Sequence, residues 1–174
     1  MRLKIFTTGG TIDKIYFDAQ SDFEVGEPQI GRILADARVG FEYEIVQLMR
    51  KDSLELDDAD RAIIRRAVAT EESLHILITH GTDTMVETAM ALGELPGKTI
   101  VLTGALNPAR FDSSDAIFNI GLAVAAVQTS LPGVYIAMNG RVFDARSVRK
   151  NRTKNRFEPT HLLPDFYRGG RSET

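Results

Sequence analysis

The sequence predicts an α/β domain of three layers, in which a mainly parallel, Rossmann-like sheet is flanked by helices. Five apolar runs of strand length alternate along the chain with segments of helical periodicity. Each run is apolar almost throughout, which is typical of strands covered by helices on both faces. The chain has 174 residues, of which 43% are hydrophobic, so it suits one domain with a sizeable core.

Five strands are predicted in chain order. Alternation of strands with helices favours right-handed crossover connections and therefore a parallel sheet. The predicted strands are LKIF (3–6), YEIVQLM (43–49), LHILIT (74–79), KTIVLT (98–103) and GVYIAM (133–138).

Three helices are predicted between these strands. The first, LDDADRAIIRRAVAT, has Asp57 as a suitable N-cap and places Ile64 and Val68 one turn apart on an apolar face. The second, TMVETAMALGEL, is expected to end at Gly93, and the third, SSDAIFNIGLAVAAVQTS, before Pro132. Residues 13–31 are interpreted as a long loop, and the polar chain after Lys150 is expected to be irregular.

Composition and charge exclude several classes of function. A net charge of −3 offers no global attraction to nucleic acid or to an anionic membrane. The absence of cysteine excludes disulfides, thiolate metal sites and cysteine nucleophiles. The amino terminus has no signal-peptide pattern, and no segment approaches the roughly 20 apolar residues that span a bilayer. We therefore expect a soluble, cytoplasmic protein that does not bind membranes.

A basic run, RVFDARSVRKNRTKNR (141–156), could indicate nucleic-acid binding because it has seven basic residues against one acid. Few aromatic side chains accompany it, whereas single-stranded nucleic-acid sites usually combine both. We interpret this run as a solvated or subunit-facing segment, and we expect no nucleic-acid partner.

Small hydroxyl, amide and glycine residues follow every predicted strand. Ligands of open parallel sheets bind outside the carboxyl ends of the strands. Thr11 and Thr82 each follow a glycine, so both would face one pocket if their strands are neighbours. The exits are TTGGT (7–11), KDS (51–53), THGTDT (79–84), TGA (103–105) and MNG (138–140).

Nucleotide and metal sites are not supported by the motifs. TTGGT lacks the GxGxxG spacing, and GxxxxGK[ST] is absent. His75, His80 and His161 are far apart in the sequence, and neither HExxH nor an EF-hand pattern occurs. We expect no metal and no cofactor, and we expect His80 to order its turn by hydrogen bonding.

A threonine can act as a nucleophile when a neighbouring group removes its proton. For Thr11, the candidate activators are Tyr16, Asp83 and Lys150. The helix that starts after Asp83 offers free N–H groups for a carboxylate, and Asp83 could pair with an ammonium group. These features together predict a receptor for a free amino acid, although glycine turns and helix caps would account for the same residues structurally.

Two motifs resemble the signatures of the bacterial-type L-asparaginases, amidohydrolases that use threonine. They are TGGTI (8–12) and HGTDT (80–84). The resemblance covers roughly residues 1–155, the catalytic amino-terminal domain of that family, and leaves 156–174 as a tail without a second domain. It extends through DS (52–53), TGA (103–105), SDAIFN (114–119), MNG (138–140) and Lys150.

The resemblance implies a role for each matching residue. Thr11 would be the acylated nucleophile, and Lys150 would polarise Thr82. Asp83 would complete that group and hold the substrate amino group. The loop tyrosine of the family is best matched by Tyr16, although Phe23 occupies a place that some relatives give to it. The substrate-binding set would be Gly10, Ser53 for the α-carboxylate, Gly81, Thr82, Asp83 and the backbone carbonyl of Ala105 for the side-chain amide.

The implied reaction converts L-asparagine to L-aspartate and ammonia through a threonine ester. Three alternatives stay open: a glutamine-preferring amidase, an ammonia-supplying amidotransferase subunit and a non-catalytic amino-acid sensor. In the usual members a smaller carboxyl-terminal domain helps to complete a neighbour's active site. This chain resembles a short-chain member, so we expect a homo-oligomer, either a dimer or a tetramer.

Overall fold

The computed structural model describes residues 1–17 and 22–160, which form a sheet with helices on both faces. In chain order the elements are β1 (Arg2–Thr7), β2 (Lys14–Phe17), β3 (Asp22–Val25), α1 (Ile30–Asp36), β4 (Glu42–Gln47), α2 (Asp58–Thr70), β5 (His75–Thr79), α3 (Met85–Leu92), β6 (Thr99–Thr103), α4 (Ala116–Thr129), β7 (Gly133–Met138), β8 (Arg141–Asp144), β9 (Val148–Asn151) and β10 (Arg156–Pro159).

The central sheet has six strands in the order β4-β1-β5-β6-β7-β8. Five of them are parallel, and β8 pairs antiparallel with β7 at one edge. The parallel strands follow the 2-1-3-4-5 order of a doubly wound sheet. Because the chain moves to one side of β1 to form β4 and then to the other side to form β5, the winding reverses between β1 and β5.

The predicted fold class is confirmed, and so are the five predicted strands and three predicted helices, with strand bounds that differ by at most two residues. The predicted N-cap of α2 is also present. The Asp57 carboxylate accepts a hydrogen bond from the amide of Asp60 at 2.9 Å, and the Asp60 carboxylate accepts one from the amide of Asp57. These reciprocal bonds satisfy two N–H groups that a helix terminus leaves free.

Alternating side chains divide the sheet between two cores. On β1, Leu3 and Ile5 face α1 and α4, whereas Phe6 faces the side of α2 and α3. On β5, Leu77 and its neighbour Ile78 divide in the same way, and all five are at most 3% exposed. This two-sided burial is the physical basis of the continuous apolar runs in the sequence.

Two loop predictions are wrong. Residues 13–31 contain the antiparallel hairpin β2–β3 and the start of α1, and the chain after Lys150 continues into a second hairpin, β9–β10. Their strands have only four residues each, which is too short for the alternation of polar and apolar residues to be distinctive. Residues 18–21 of the predicted loop and residues 161–174 of the predicted tail, with His161, lie outside the described residues.

Across the described ranges, none of the helices is both long enough and apolar enough to cross a bilayer.

Candidate active site

Two glycine-threonine segments, TTGGT (7–11) and THGTDT (79–84), lie side by side between β1 and β5, where the winding of the sheet reverses. Thr7 at the end of β1 is in register with Thr79 at the end of β5. Beyond these ends, the Thr8 hydroxyl donates a hydrogen bond to the Thr79 carbonyl at 3.0 Å. This is the position at which doubly wound sheets bind ligands.

Glycine at positions 10 and 81 allows three loops to approach one another closely. A Cβ on Gly10 would lie 2.4 Å from Cα and N of Gly81, and Gly10 has a φ of +93°. A Cβ on Gly81 would lie 2.5 Å from the Ser53 hydroxyl oxygen. Any larger residue would separate the loops, because real Cβ atoms do not approach other heavy atoms so closely. These contacts bring the three chain segments that carry Thr11, Ser53 and Thr82 close together.

Lys150 joins the second glycine-threonine segment from another part of the chain. Its Nζ donates hydrogen bonds to the Thr82 hydroxyl at 2.7 Å and to the Asp83 carboxylate at 2.8 Å. The side chain of Lys150 is only 9% exposed, whereas that of Asp83 is 35% exposed. A buried ammonium group is stable only when it is paired, so the ion pair with Asp83 supports the cation beside Thr82.

The hairpin β9–β10 positions Lys150 beside Thr82. Lys150 pairs across the hairpin with Phe157, whose side chain is 3% exposed and packs in the core on the α2 and α3 side. The amide of Phe157 also donates to the side chain of Asn139 at 2.9 Å. The hairpin is therefore anchored by its second strand while its first strand presents the lysine.

Ser53 begins a short turn whose first residues are held by two hydrogen bonds. The preceding Asp52 carboxylate accepts a hydrogen bond from the amide of Leu54 at 3.1 Å. The Ser53 carbonyl accepts one from the hydroxyl of Thr84 at 2.7 Å, and Ser53 itself is 1% exposed. The turn is thus tied directly to the start of α3, next to Asp83.

The hairpin β2–β3 is tied to the same turn by an ion pair. Lys14 Nζ lies 2.6 Å from the Asp52 carboxylate. Burial opposes ionisation of Asp52, but the hydrogen bonds from Lys14 and from the Leu54 amide, with the nearby charge of Lys150, hold its pKa below the usual value. Asp52 therefore remains a carboxylate at neutral pH.

Ala105 is fully buried at the start of a loop that two side chains of the SDAIFN motif hold in place. The Asp115 carboxylate accepts a hydrogen bond from the amide of Leu106 at 2.9 Å. The side-chain amide of Asn119 donates to the Gly104 carbonyl at 3.0 Å and to Asp115 at 2.8 Å. Sequence reasoning assigned these two residues no role, although an acid followed four positions later by an amide is a side-chain pair that a helix brings together.

Both ring nitrogens of His80 are hydrogen-bonded within the protein. Its Nδ1 lies 2.7 Å from the Gly81 carbonyl and its Nε2 lies 2.8 Å from the Thr88 hydroxyl. Burial lowers the pKa of His80 to about 4. A neutral ring that donates through Nδ1 and accepts through Nε2 satisfies both bonds, which agrees with the prediction that His80 orders its turn.

The other predicted residues occupy the surrounding segments. Thr11 starts the 3₁₀ turn Thr11–Asp13 and is partly exposed. Tyr16 lies in β2 directly opposite Phe23 in β3, so the two alternatives for the loop tyrosine occupy the same level of one hairpin. Within the part of the chain that the structure describes, no group of three or more histidine, aspartate or glutamate residues is placed to hold a metal ion.

Comparisons with known proteins, by sequence and by structure, agree on one family. The family model of the asparaginase amino-terminal domain (Asparaginase, N-terminal) matches residues 2–158. The L-asparaginase of Thermococcus kodakarensis is 31% identical over 156 residues, which are 86% of this chain and 48% of the relative. Its solved structure superposes with a TM-score of 0.81 at 30% identity and covers 91% of this chain and 51% of the other.

Two further relatives extend the comparison. A probable cytoplasmic L-asparaginase from Campylobacter jejuni superposes with a TM-score of 0.75 at 29% identity, covering 91% of this chain and 51% of the other. A glutamyl-tRNA(Gln) amidotransferase subunit from Thermoplasma acidophilum is 29% identical over 162 residues, which are 87% of this chain and 40% of the relative. The chain thus spans about half the length of these relatives or less.

Proposed function

Because this chain belongs to the asparaginase family, which it matches along the amino-terminal domain, we propose that it hydrolyses the side-chain amide of L-asparagine to L-aspartate and ammonia. The observation that carries the proposal is the buried contact of Lys150 Nζ with both Thr82 and Asp83. The segment that carries Thr11 lies beside it, because Gly10 and Gly81 are in contact. Binding of an amino acid alone requires no such paired lysine and threonine beside a second threonine.

In the proposed reaction Thr11 is the nucleophile. Its Oγ forms a bond to the carbon of the substrate side-chain amide, and the carbon–nitrogen bond then breaks. The hydroxyl proton passes to the leaving nitrogen, which departs as ammonia. Water then attacks the resulting ester and releases aspartate, which restores the Thr11 hydroxyl.

The remaining residues bind and orient the substrate. We assign the α-carboxylate to Ser53 and the α-ammonium group to Asp83, with Gly10 and Gly81 providing the close backbone surface. The Ala105 carbonyl accepts a hydrogen bond from the substrate amide. Lys150 holds Thr82 in one orientation, which supplies the preorganised polar environment that such reactions need. These roles, and that of Tyr16 on the hairpin, are the ones that the family resemblance implies.

A second candidate is an amidase that prefers glutamine or supplies ammonia to an amidotransferase. The Thermoplasma acidophilum relative is named as an amidotransferase subunit, and it matches 87% of this chain. Glutamine is longer than asparagine by one methylene group, a difference that a pocket discriminates by only about 1–3 kcal/mol. The proposed residues would therefore serve either amino acid.

We also propose a cytoplasmic homo-oligomer, a dimer or a tetramer, with residues 1–155 as the catalytic domain. The Campylobacter jejuni relative is named as cytoplasmic. Two large apolar side chains on α4, Ile117 and Phe118, are 67% and 64% exposed, so contact with a second copy would remove them from water. Light scattering of the purified protein measures its mass, and a monomer with full amidase activity would contradict the oligomer.

An ammonia-release assay with asparagine and glutamine tests the proposed function. We expect ammonia and aspartate in equal amounts from asparagine, without any added metal or cofactor. Faster release from glutamine would favour the second candidate. Calorimetric binding of asparagine without ammonia release would identify a sensor instead.

A further inference from the structure

A buried carboxylate with no part in the proposed chemistry lies two residues after Thr11. Asp13 closes the 3₁₀ turn that begins at Thr11 and is only 2% exposed. An ionised side chain in such a position is unfavourable unless it has partners. The partners of Asp13 indicate what the charge does.

Asp13 connects three segments around the nucleophile. Its carboxylate accepts a hydrogen bond from the amide of Gln29, just before α1, at 2.8 Å. Its backbone carbonyl accepts one from the amide of Gly26, just after β3, at 2.7 Å, and its own amide donates to the Gly10 carbonyl at 3.1 Å. One residue therefore closes the base of the hairpin β2–β3 and fixes the turn that carries Thr11.

We propose that Asp13 is a positioning residue whose ionised carboxylate holds the hairpin β2–β3 and the Thr11 turn in the arrangement that the reaction requires. The inference rests on the proposed function for its kinetic consequences, because Asp13 would act through Thr11 and through the strand that carries Tyr16. Its structural part, the attachment of the hairpin base to Gln29, is independent of the reaction.

The charge of Asp13 is retained against an opposing effect of burial. Burial raises its pKa to about 6, while the hydrogen bond from the Gln29 amide and the charge of Arg50 act in the opposite direction and the charge of Glu27 adds to the rise. Arg50 contacts the same hairpin, since it donates to the Val25 carbonyl and pairs with Glu27 at 3.1 Å. The folded protein thus favours a neutral group at position 13, but a charged acceptor binds an amide more strongly.

Because the charge of Asp13 costs stability but strengthens a hydrogen bond, a variant without the charge distinguishes a positioning role from a merely structural one. Asp13→Asn keeps the shape and an acceptor but removes the charge. We expect its melting temperature at pH 7.5 to rise, whereas its kcat should fall on the order of 10-fold, the effect of one weakened charge-assisted hydrogen bond. Asp112→Asn, on an exposed loop, is the matched control and should change neither quantity.

The pH profile supplies a second kinetic readout. In the wild-type protein kcat should decline as the pH falls through about 6, because Asp13 gains a proton there. The Asp13→Asn variant should lack this decline and resemble the protonated wild-type protein at every pH. Wild-type kcat together with an unchanged acid limb in this variant would overturn the inference.

Amide exchange tests the inference even if the protein releases no ammonia. In Asp13→Ala, exchange at Gln29 should be at least about 10-fold faster than in the wild-type protein, because the carboxylate that accepts from its amide is gone. The Gly26 amide keeps its backbone acceptor, so its exchange should also become faster only because the base of the hairpin is no longer held to Gln29. Equal exchange at both amides would overturn the inference. Absence of ammonia release by the wild-type protein, with the expected exchange, would instead reject the proposed function and leave the attachment of the hairpin established.

Discussion

At the scale of single residues, the two threonines of the site are chemically alike but differ in their surroundings. Thr82 is 4% exposed and accepts a hydrogen bond from Lys150, whereas Thr11 is partly exposed in a turn next to glycine. A nucleophile has to reach the substrate, so exposure favours Thr11. The pairing of Thr82 favours a supporting role.

Removal of the Thr11 hydroxyl should abolish turnover without unfolding the protein. Thr11→Val keeps the volume of the side chain, so we expect kcat to fall by at least about 1,000-fold while the melting temperature changes little. Mass spectrometry of an acid-quenched reaction of the wild-type protein should locate the acyl group on the peptide that contains Thr11. An acyl group on Thr82 would reverse the assignment of the two threonines.

Lys150 and Thr82 should behave as one unit. In the proposed reaction the lysine acts through the hydroxyl that it contacts at 2.7 Å, so losing either partner should disable the same step. Lys150→Met and Thr82→Val should each lower kcat by about 100-fold or more, and the double variant should be hardly slower than the slower single variant. If the logarithms of the two losses simply add, the two side chains act separately.

At the scale of elements, close contact between loops assembles the site. The 3₁₀ turn after β1 and the loop after β5 approach so closely that their glycines leave no room for a Cβ. The turn of Ser53 packs against Gly81, and the hairpin β9–β10 places Lys150 next to Thr82. The site is therefore sensitive to changes that move a backbone by about one ångström.

A single methyl group at Gly10 should separate these loops. Gly10→Ala would place a Cβ 2.4 Å from the backbone of Gly81 and would require an unfavourable positive φ. We expect a loss of unfolding free energy of about 2–4 kcal/mol and loss of activity, measured by urea denaturation and ammonia release.

The matched control for Gly10 is a glycine in open space. Gly121 lies inside α4, and apart from its neighbours in the helix no atom lies within 4 Å of the position that a Cβ would take there. Gly121→Ala should therefore stabilise the protein by about 0.5–1 kcal/mol, because alanine favours the helix, and should keep full activity. Equal effects of the two substitutions would mean that the loop contact does not determine the geometry of the site.

At the scale of the whole molecule, two buried ionisable groups should tilt the pH dependence of stability in opposite directions. Burial lowers the pKa of His80 from 6.5 to about 4, so the unfolded chain binds a proton more readily than the folded protein. His80 therefore removes stability as the pH falls from about 6.5 to about 4. Asp13, whose pKa is raised from 3.8 to about 6, removes stability as the pH rises across nearly the same interval.

Urea denaturation between pH 4 and pH 7 measures the sum of these opposing contributions, and the His80→Gln variant separates them. The His80 contribution should amount to about 3 kcal/mol over this interval, and His80→Gln should eliminate it. His75→Gln, at the partly exposed start of β5, is the control and should leave the slope unchanged. A His80→Gln variant with the wild-type pH dependence would show that the ring does not remain neutral in the folded protein.

Much of the architecture is readable from the sequence because it is encoded locally. Continuous apolar runs reveal strands buried on both faces, and Asp57 marks the start of α2 through its capping bonds. The hairpins β2–β3 and β9–β10 are not recognisable from such local patterns, because their four-residue strands are held by tertiary partners. Lys14 pairs with Asp52, and Phe157 packs in the core.

By itself, the sequence determined the chemical types at the strand ends and the family, since both depend on residue identity and order. Only the tertiary structure decided which strand ends are neighbours. Lys150 and Thr82 are 68 positions apart but lie within 2.7 Å, and the contact of Gly10 with Gly81 depends on β1 and β5 being adjacent. Strand order and loop contact are non-local, because they follow from burying both faces of one sheet at once, and no short stretch of sequence carries that information.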